Sequence, residues 1–298
     1  MPGGDHADGR PIADMATWRV SRLQHRGSFA PGGSRFHRRQ SCLSKCWRAM
    51  RDGIAVILDY KTTPSLHQQE QAEKRRDERS IQMAPIKLYG MALSANVVRV
   101  AAVLNEKGLD FEIVDVDLRT GAHKHPDFIA LNPFGQIPAL QDGDEVLYES
   151  RAINRHIATK YKTQGPDLVP TPSAKLETWL EVESHHFYPA VSPLVFQLLI
   201  KPMLGGAPDA AVVDKHAADL AKVLDVYEAH LAKGNKYLAG DAYTLADANH
   251  LSYMFMLTKT SKAELVASRP HVKAWWDDIS ARPAWLKTVA SVPLPPGA

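Results

Sequence analysis

The sequence predicts an α/β domain followed by an all-α domain, with an irregular extension in front. Three observations predict this. Short apolar runs alternate with a helical stripe between Pro85 and Ser150. From residue 172 onward the apolar residues recur only at helical spacing. Residues 1–82 are rich in Gly, Ser, Arg and Gln and show no sustained period. A chain of 298 residues is long enough for two domains. The expected divisions are an extension over 1–82, disordered or non-native, an α/β domain over 83–164 and a helical domain over 172–298.

Each element has its own reason. PIKLYG is a short strand. In SANVVRVAAVLNEKG, Val97, Val98, Ala101 and Leu104 form an apolar stripe, and Gly108 stops the helix. FEIVDVDL is the next strand, so strand–helix–strand predicts a parallel pair with a right-handed crossover. HPDFIALN is a short helix. Asp142-Gly143 between apolar runs signals a hairpin, because Gly accepts positive φ. Ser150 is expected to cap a helix running to about Tyr161. The order β-α-β-α-β-β-α, with a proline entering the third strand, is a thioredoxin-like layout.

A Pro-rich linker, KTQGPDLVPTPS, leads into the helices. Asp209 caps a stripe of Val213, Ala217, Leu220, Leu224, Tyr227 and Leu231, and Gly234 stops it. Thr244 and Asp247 have capping-box spacing, which makes Asp247 structural. Pro270 opens HVKAWWDDISAR and Pro283 closes it.

Composition narrows the function. No run of 18 apolar residues exists, so no membrane-spanning helix is predicted. Net charge is only +3, which gives no general attraction for nucleic acid. The extension holds 15 Lys and Arg against 9 Asp and Glu, and the remainder 21 against 24. Met83 reads as an alternative start. Asp5, Asp8 and Asp14 argue against a transit peptide. The only cysteines are Cys42 and Cys46, both in the extension. From Met83 onward the chain has no thiol of its own and needs no oxidising compartment, so a cytoplasmic location is expected. His185 and His186 are adjacent and point about 100° apart on a helix. No H-E-x-x-H pattern occurs. No metal and no cofactor are expected.

Four places can carry chemistry. Pro138 at a strand entrance favours a cis bond, which turns the backbone of Ile137 toward an extended, peptide-like ligand. Glu149-Ser150 opens a helix, whose free N–H groups and dipole suit a carboxylate, while Glu149 can pair with an amino group. His123-Lys124 can hold a second carboxylate. Ser94 opens the first helix, where its hydroxyl and the helix dipole can stabilise a thiolate. Taken singly, Pro138 is equally an ordinary turn proline, and the other three read better as ordinary caps or a solvated loop. Taken together they match two carboxylates, an amino group, a peptide edge and a thiol, which are the groups of glutathione. For a second, apolar substrate, Phe196, Ile200 and Leu204 lie at i, i+4, i+8 beside Pro202 and Gly205-Gly206, with small Ala95 next to Ser94.

From Met83 to the C-terminus the chain resembles a plant glutathione transferase of the phi class. The segments MAPIKLYGMALSANVVRV, HKHPDFIALNPFGQIPALQDGDEVLYESRAI, FQLLIKPMLGG, YLAGDAYTLADANH and HVKAWWDDISARP carry the resemblance. It implies that Ser94 activates the thiol of glutathione and that His123 and Lys124 bind the glycyl carboxylate. It assigns the peptide portion to Gln136 and Ile137, and the γ-glutamyl end to Glu149 and Ser150. It implies a homodimer. Phe134, in a loop, is a candidate to pack across that dimer. The expected activity is conjugation of glutathione, as co-substrate, to hydrophobic electrophiles such as herbicides, with hydroperoxide reduction at the same site. A non-catalytic carrier of apolar ligands that keeps a glutathione site is the alternative. The extension has no counterpart in the family pattern.

Overall fold

The computed structural model describes Gln71 and residues 85–170 and 173–292. The extension expected over 1–82, with its two cysteines, lies outside the described residues apart from Gln71.

Strand β1 (Ile86–Tyr89) leads through Gly90 and a tight turn into helix α1 (Ala95–Glu106) and then β2 (Phe111–Val114). Two single 3-10 turns, Leu118–Thr120 and Ala122–Lys124, and the short α2 (Pro126–Ile129) follow. Strands β3 (Ala139–Asp142) and β4 (Glu145–Tyr148) form a hairpin, and α3 (Ser150–Lys160) closes the unit. The sheet order is β2-β1-β3-β4. β1 pairs parallel with β2 and antiparallel with β3, with Leu88 opposite both Ile113 and Leu140. This is the predicted thioredoxin-like order.

The hairpin turn differs by one residue from the expected place. Asp142 pairs with Glu145 as the last strand residue, so the loop is Gly143-Asp144, with Gly143 at φ 65°. Asp142 is instead buried, 2% exposed, and takes bonds from His156, Lys160 and Tyr161 of the α3 region.

The second half is helical, as predicted. Helices α4 (Ala174–Val182), α5 (Tyr188–Val195) and α6 (Lys201–Met203) are joined through wider π turns at Glu183–Phe187 and Phe196–Ile200. Each π turn ends one residue before an X-Pro step, Tyr188-Pro189 and Lys201-Pro202. A proline ring clashes with the carbonyl four residues back, and the wider turn relieves that clash. Helix α7 (Ala210–Leu231) is capped by Asp209, which accepts from Val212 N at 3.2 Å. Its predicted stripe is buried except for the partly buried Ala217. Then come α8 (Leu245–Ala248), α9 (Leu251–Thr258), α10 (Glu264–Ala267), α11 (Pro270–Ser280) and α12 (Pro283–Val289). Pro283 therefore opens a further helix as well as following one. Thr244 and Asp247 form the capping box, and buried Asp247 also accepts from Leu238 N and Trp275 Nε1.

Both halves belong to one compact unit, His67–Ala298. Nine of the twelve residues of α1 are buried, and this helix packs against α3, α9 and α12. A separate small cluster of Val116, Phe128 and Ala139 holds α2 on the sheet. Among the described residues no helix is long and apolar enough to cross a membrane.

Candidate functional site

The end of β1 brings the helix that follows Ser94 close to the Ile137 loop. A Cβ on Gly90 would lie 2.4 Å from Val97 Cγ2 and 3.4 Å from Ile137 Cβ. Only glycine lets the strand exit, α1 and the Ile137 loop approach this closely.

Ser94 stands at the first position before α1 with extended backbone (φ −68°, ψ 122°). Its carbonyl accepts from Val98 N at 2.9 Å, but its hydroxyl makes no capping bond. This departs from an ordinary serine cap, whose oxygen serves the helix's own N–H groups. The half-buried hydroxyl and the first-turn N–H groups of α1 both remain available. Ala95, next to it, is buried.

The Ile137–Pro138 bond is cis, as predicted, and β3 begins at Ala139. Among the described residues, Ile137 has no backbone hydrogen-bond partner. Gln136 is exposed, and its carbonyl accepts from Asn132 Nδ2 at 2.6 Å. The loop before it is pinned from outside: Lys124 Nζ donates to Phe134 O at 3.1 Å and Gly135 O at 2.9 Å. A Cβ at Gly135 would lie 2.8 Å from His123 O and 2.9 Å from Lys124 Nζ. The His123 carbonyl and the Lys124 amine are thus packed against Gly135, the residue before Gln136. His123 Nδ1 is buried without a partner among the described residues. The positive charge of Lys124 has no carboxylate partner there either.

At α3 the structure corrects the sequence reading. Glu149, not Ser150, occupies the cap position, with φ 67° and ψ 106° and no side-chain cap bond. A positive φ on a residue other than Gly costs of order 1–3 kcal/mol and marks a position held by its surroundings. Ser150 is the first helical residue and is 6% exposed. Its Oγ accepts from Arg99 Nη1 at 3.0 Å. Glu149 points to solvent.

Arg99 and its partners were not singled out from sequence. Arg99 is fully buried in α1 and ion-pairs with fully buried Glu183 at 3.0 Å. Arg151 pairs with the same carboxylate at 2.6 Å and lies over the Tyr188 ring at 4.6 Å. Burial opposes ionisation of Glu183, but Arg99, then Arg151, outweigh it and hold its pKa below the usual range. Burial also pushes the nearby His250 down to about 4, against the pull of Glu183, so it is neutral at pH 7. One sequence signal was available: an arginine in the middle of VVRVAAVL.

The expected apolar wall is less regular than its spacing suggested. Phe196 and Ile200 bound the second π turn, and Leu204 follows the end of α6. Phe196 is 47% and Leu204 67% exposed, with Ile200 half-buried, so the three do not form a regular α-helical face. A cavity of about 680 Å³ lies beneath α2, lined by Tyr89, Val116, Phe128 and Leu131, and reaches the predicted residues only at Lys124.

Asp142, Glu145 and His156 have ligand atoms within 4.8 Å of one another, as a metal site would require. However, Lys160 Nζ sits 2.9 Å from Asp142 Oδ2, and His156 Nε2 is at the same distance. The carboxylate is already neutralised, which fits an ion-pair cluster.

The N-terminal-domain model of glutathione S-transferases matches residues 84–159, and the C-terminal-domain model matches 187–283. Glutathione S-transferase 3 of Zea mays is 73% identical over 217 residues, covering 72% of this chain and 97% of the relative. A solved structure of glutathione S-transferase III in apo form is 78% identical with a TM-score of 0.68, over 72% of this chain and 99% of that one. Glutathione S-transferase I from maize, solved with an atrazine–glutathione conjugate, is 46% identical with a TM-score of 0.66, over 70% of this chain and 98% of that one.

Proposed function

The chain belongs to the glutathione S-transferase family, in its plant phi class, and we propose that it joins the sulfur of glutathione to hydrophobic electrophiles through a thiolate held at Ser94. The observation that carries this is the Ser94 hydroxyl, placed at a helix start yet free of any capping bond.

A free thiol has a pKa near 8.5, so roughly 3% is ionised at pH 7. Lowering it by about 2 units needs about 2.7 kcal/mol of differential stabilisation. One hydrogen bond to a charged group contributes ~1.5–3 kcal/mol and a helix start ~0.3–1 kcal/mol. Ser94 and α1 therefore suffice, with neither metal nor general base. The thiolate lone pair forms the new carbon–sulfur bond, and the leaving group departs with the electron pair of its own bond. His123 and Lys124 hold the glycyl carboxylate, and Gln136 and Ile137, ahead of cis-Pro138, hold the peptide. Glu149 and Ser150 hold the γ-glutamyl end. Ala95, Phe196, Ile200 and Leu204 border the electrophile, for which a chlorotriazine is a suitable trial, as in the maize conjugate.

Residues 83–164 form the glutathione domain and 172–298 the electrophile domain in this proposal. The physiological task is detoxification in the cytoplasm by a homodimer. An exposed apolar group at the β4 edge supports the dimer: Phe134 is 64% exposed and lies edge-on to Tyr148 at 6.0 Å. The test is turnover of glutathione with 1-chloro-2,4-dinitrobenzene by the parent and by Ser94→Ala. Loss of turnover in the variant supports the proposal. Glutathione binding without turnover in the parent would favour the carrier.

A further inference from the structure

Arg99 makes more polar contacts than an ion pair with Glu183 requires. Nε donates to Asn249 O at 3.1 Å, and Nη1 donates to Asn96 Oδ1 at 2.9 Å and to Ser150 Oγ at 3.0 Å. Nη2 donates to Glu183 Oε1 at 3.0 Å. The guanidinium also lies near the rings of Tyr188 and Tyr253, at 5.7 and 5.4 Å. Arg99 is 0% exposed, so each bond is shielded from water.

The bond to Ser150 has a direction. A guanidinium has only donors, so the hydroxyl oxygen must accept. The Ser150 proton is then left to be donated elsewhere, and among the described residues no acceptor takes it. Ser150 opens α3, an eleven-residue helix with unpaired N–H groups in its first turn. Beneath that turn, two guanidiniums, Arg99 and Arg151, face one carboxylate, Glu183. Glu149 at the cap adds a second carboxylate, so the pull on an anion here comes from the first-turn N–H groups.

We propose that Arg99 is a positioning residue for the γ-glutamyl end of glutathione: by occupying the acceptor side of Ser150 it fixes that hydroxyl as a donor to the γ-glutamyl α-carboxylate. The inference rests on the glutathione reading of the site. A purely structural Arg99 would instead weaken every thiol substrate alike.

The experiment compares KM for glutathione with KM for glutathione amidated at the γ-glutamyl α-carboxylate, using the full chain, Ser150→Ala, Arg99→Met and the double variant. The parent is expected to prefer the acid by about tenfold or more. Ser150→Ala and Arg99→Met each lose most of that preference, and the double variant loses no more than either. Each keeps kcat within about threefold of the parent. A parent without acid preference overturns the reading of the α3 start and this inference with it. A parent preference that Ser150→Ala removes and Arg99→Met keeps overturns the inference alone. If Arg99→Met does not fold, Arg99→Gln decides. Its amide oxygen can take the Ser150 proton, so loss of the acid preference supports the inference and a retained preference overturns it.

Discussion

Helices α1 and α3 both begin near a serine, and the two serines are in opposite states. Ser94 precedes its helix and its hydroxyl is uncommitted. Ser150 lies inside its helix and its oxygen is held by a buried arginine. The helices are also anchored differently. α1 is fixed by apolar burial, with Val97, Val100, Val103 and Leu104 at 0% exposure. α3 also buries Ile153, Ile157 and Ala158 at 0%, but it is tied by polar groups as well: Arg99 of α1 and Glu183 hold its start, and Asp142 holds its end through His156, Lys160 and Tyr161. A helix held by its core can leave its terminal hydroxyl free for chemistry. A helix tied by polar groups keeps its binding groups in one orientation.

The largest expected effect separates chemistry from binding. Ser94→Ala is expected to lower kcat by about 10²-fold with little change in KM for glutathione. Steady-state kinetics check it, and near-normal turnover would break the comparison. Ser150→Ala is expected to do the reverse, raising KM for glutathione about tenfold with kcat little changed. A fall in kcat as large as that of Ser94→Ala would show that the two serines share one role.

The next test concerns the anchor of α3. Burial raises the Asp142 pKa, but bonds from His156, Lys160 and Tyr161 outweigh it and bring the carboxyl to about 2. A depressed carboxyl stabilises the fold above its unfolded pKa, and the stabilisation is lost as pH falls from about 4 toward 2. Asp142→Asn should therefore cost about 1–2 kcal/mol at pH 7, and the difference from the parent should shrink below about pH 4. Denaturant titration at the two pH values measures this, and a pH-independent difference would contradict it. The smallest effect is expected from an ordinary cap. Asp209→Ala should cost about 1 kcal/mol of stability and leave both kinetic constants alone. A kinetic change there would mean that cap substitutions disturb the site from a distance.

Much of this was legible in the residues. The order of strands and helices followed from apolar period and from punctuation by Gly, Pro and Asp. The Asp209 cap, the Thr244–Asp247 box and the cis bond before Pro138 also followed, because each depends on neighbours in sequence. What was missed depends on partners far away. The turn lies at Gly143-Asp144 because Asp142 is drawn inward by His156 of α3 and Tyr161 just beyond it, 14 and 19 residues on. Ser150 is not the cap because Arg99, 51 residues earlier, holds its hydroxyl. The stripe of Phe196, Ile200 and Leu204 lost its regularity to a π turn before Pro202, where α-helical spacing no longer applies. Arg99 itself was visible as a charge in an apolar run, but its partners were not.

The central claim is that Ser94 and the start of α1 lower the pKa of the glutathione thiol. The most direct measurement is a thiolate absorbance titration of glutathione bound to the parent and to Ser94→Ala. The account predicts a bound thiol about 2 units below the free value of about 8.5 in the parent, and most of that shift lost in the variant. The same thiol pKa in both proteins would contradict it.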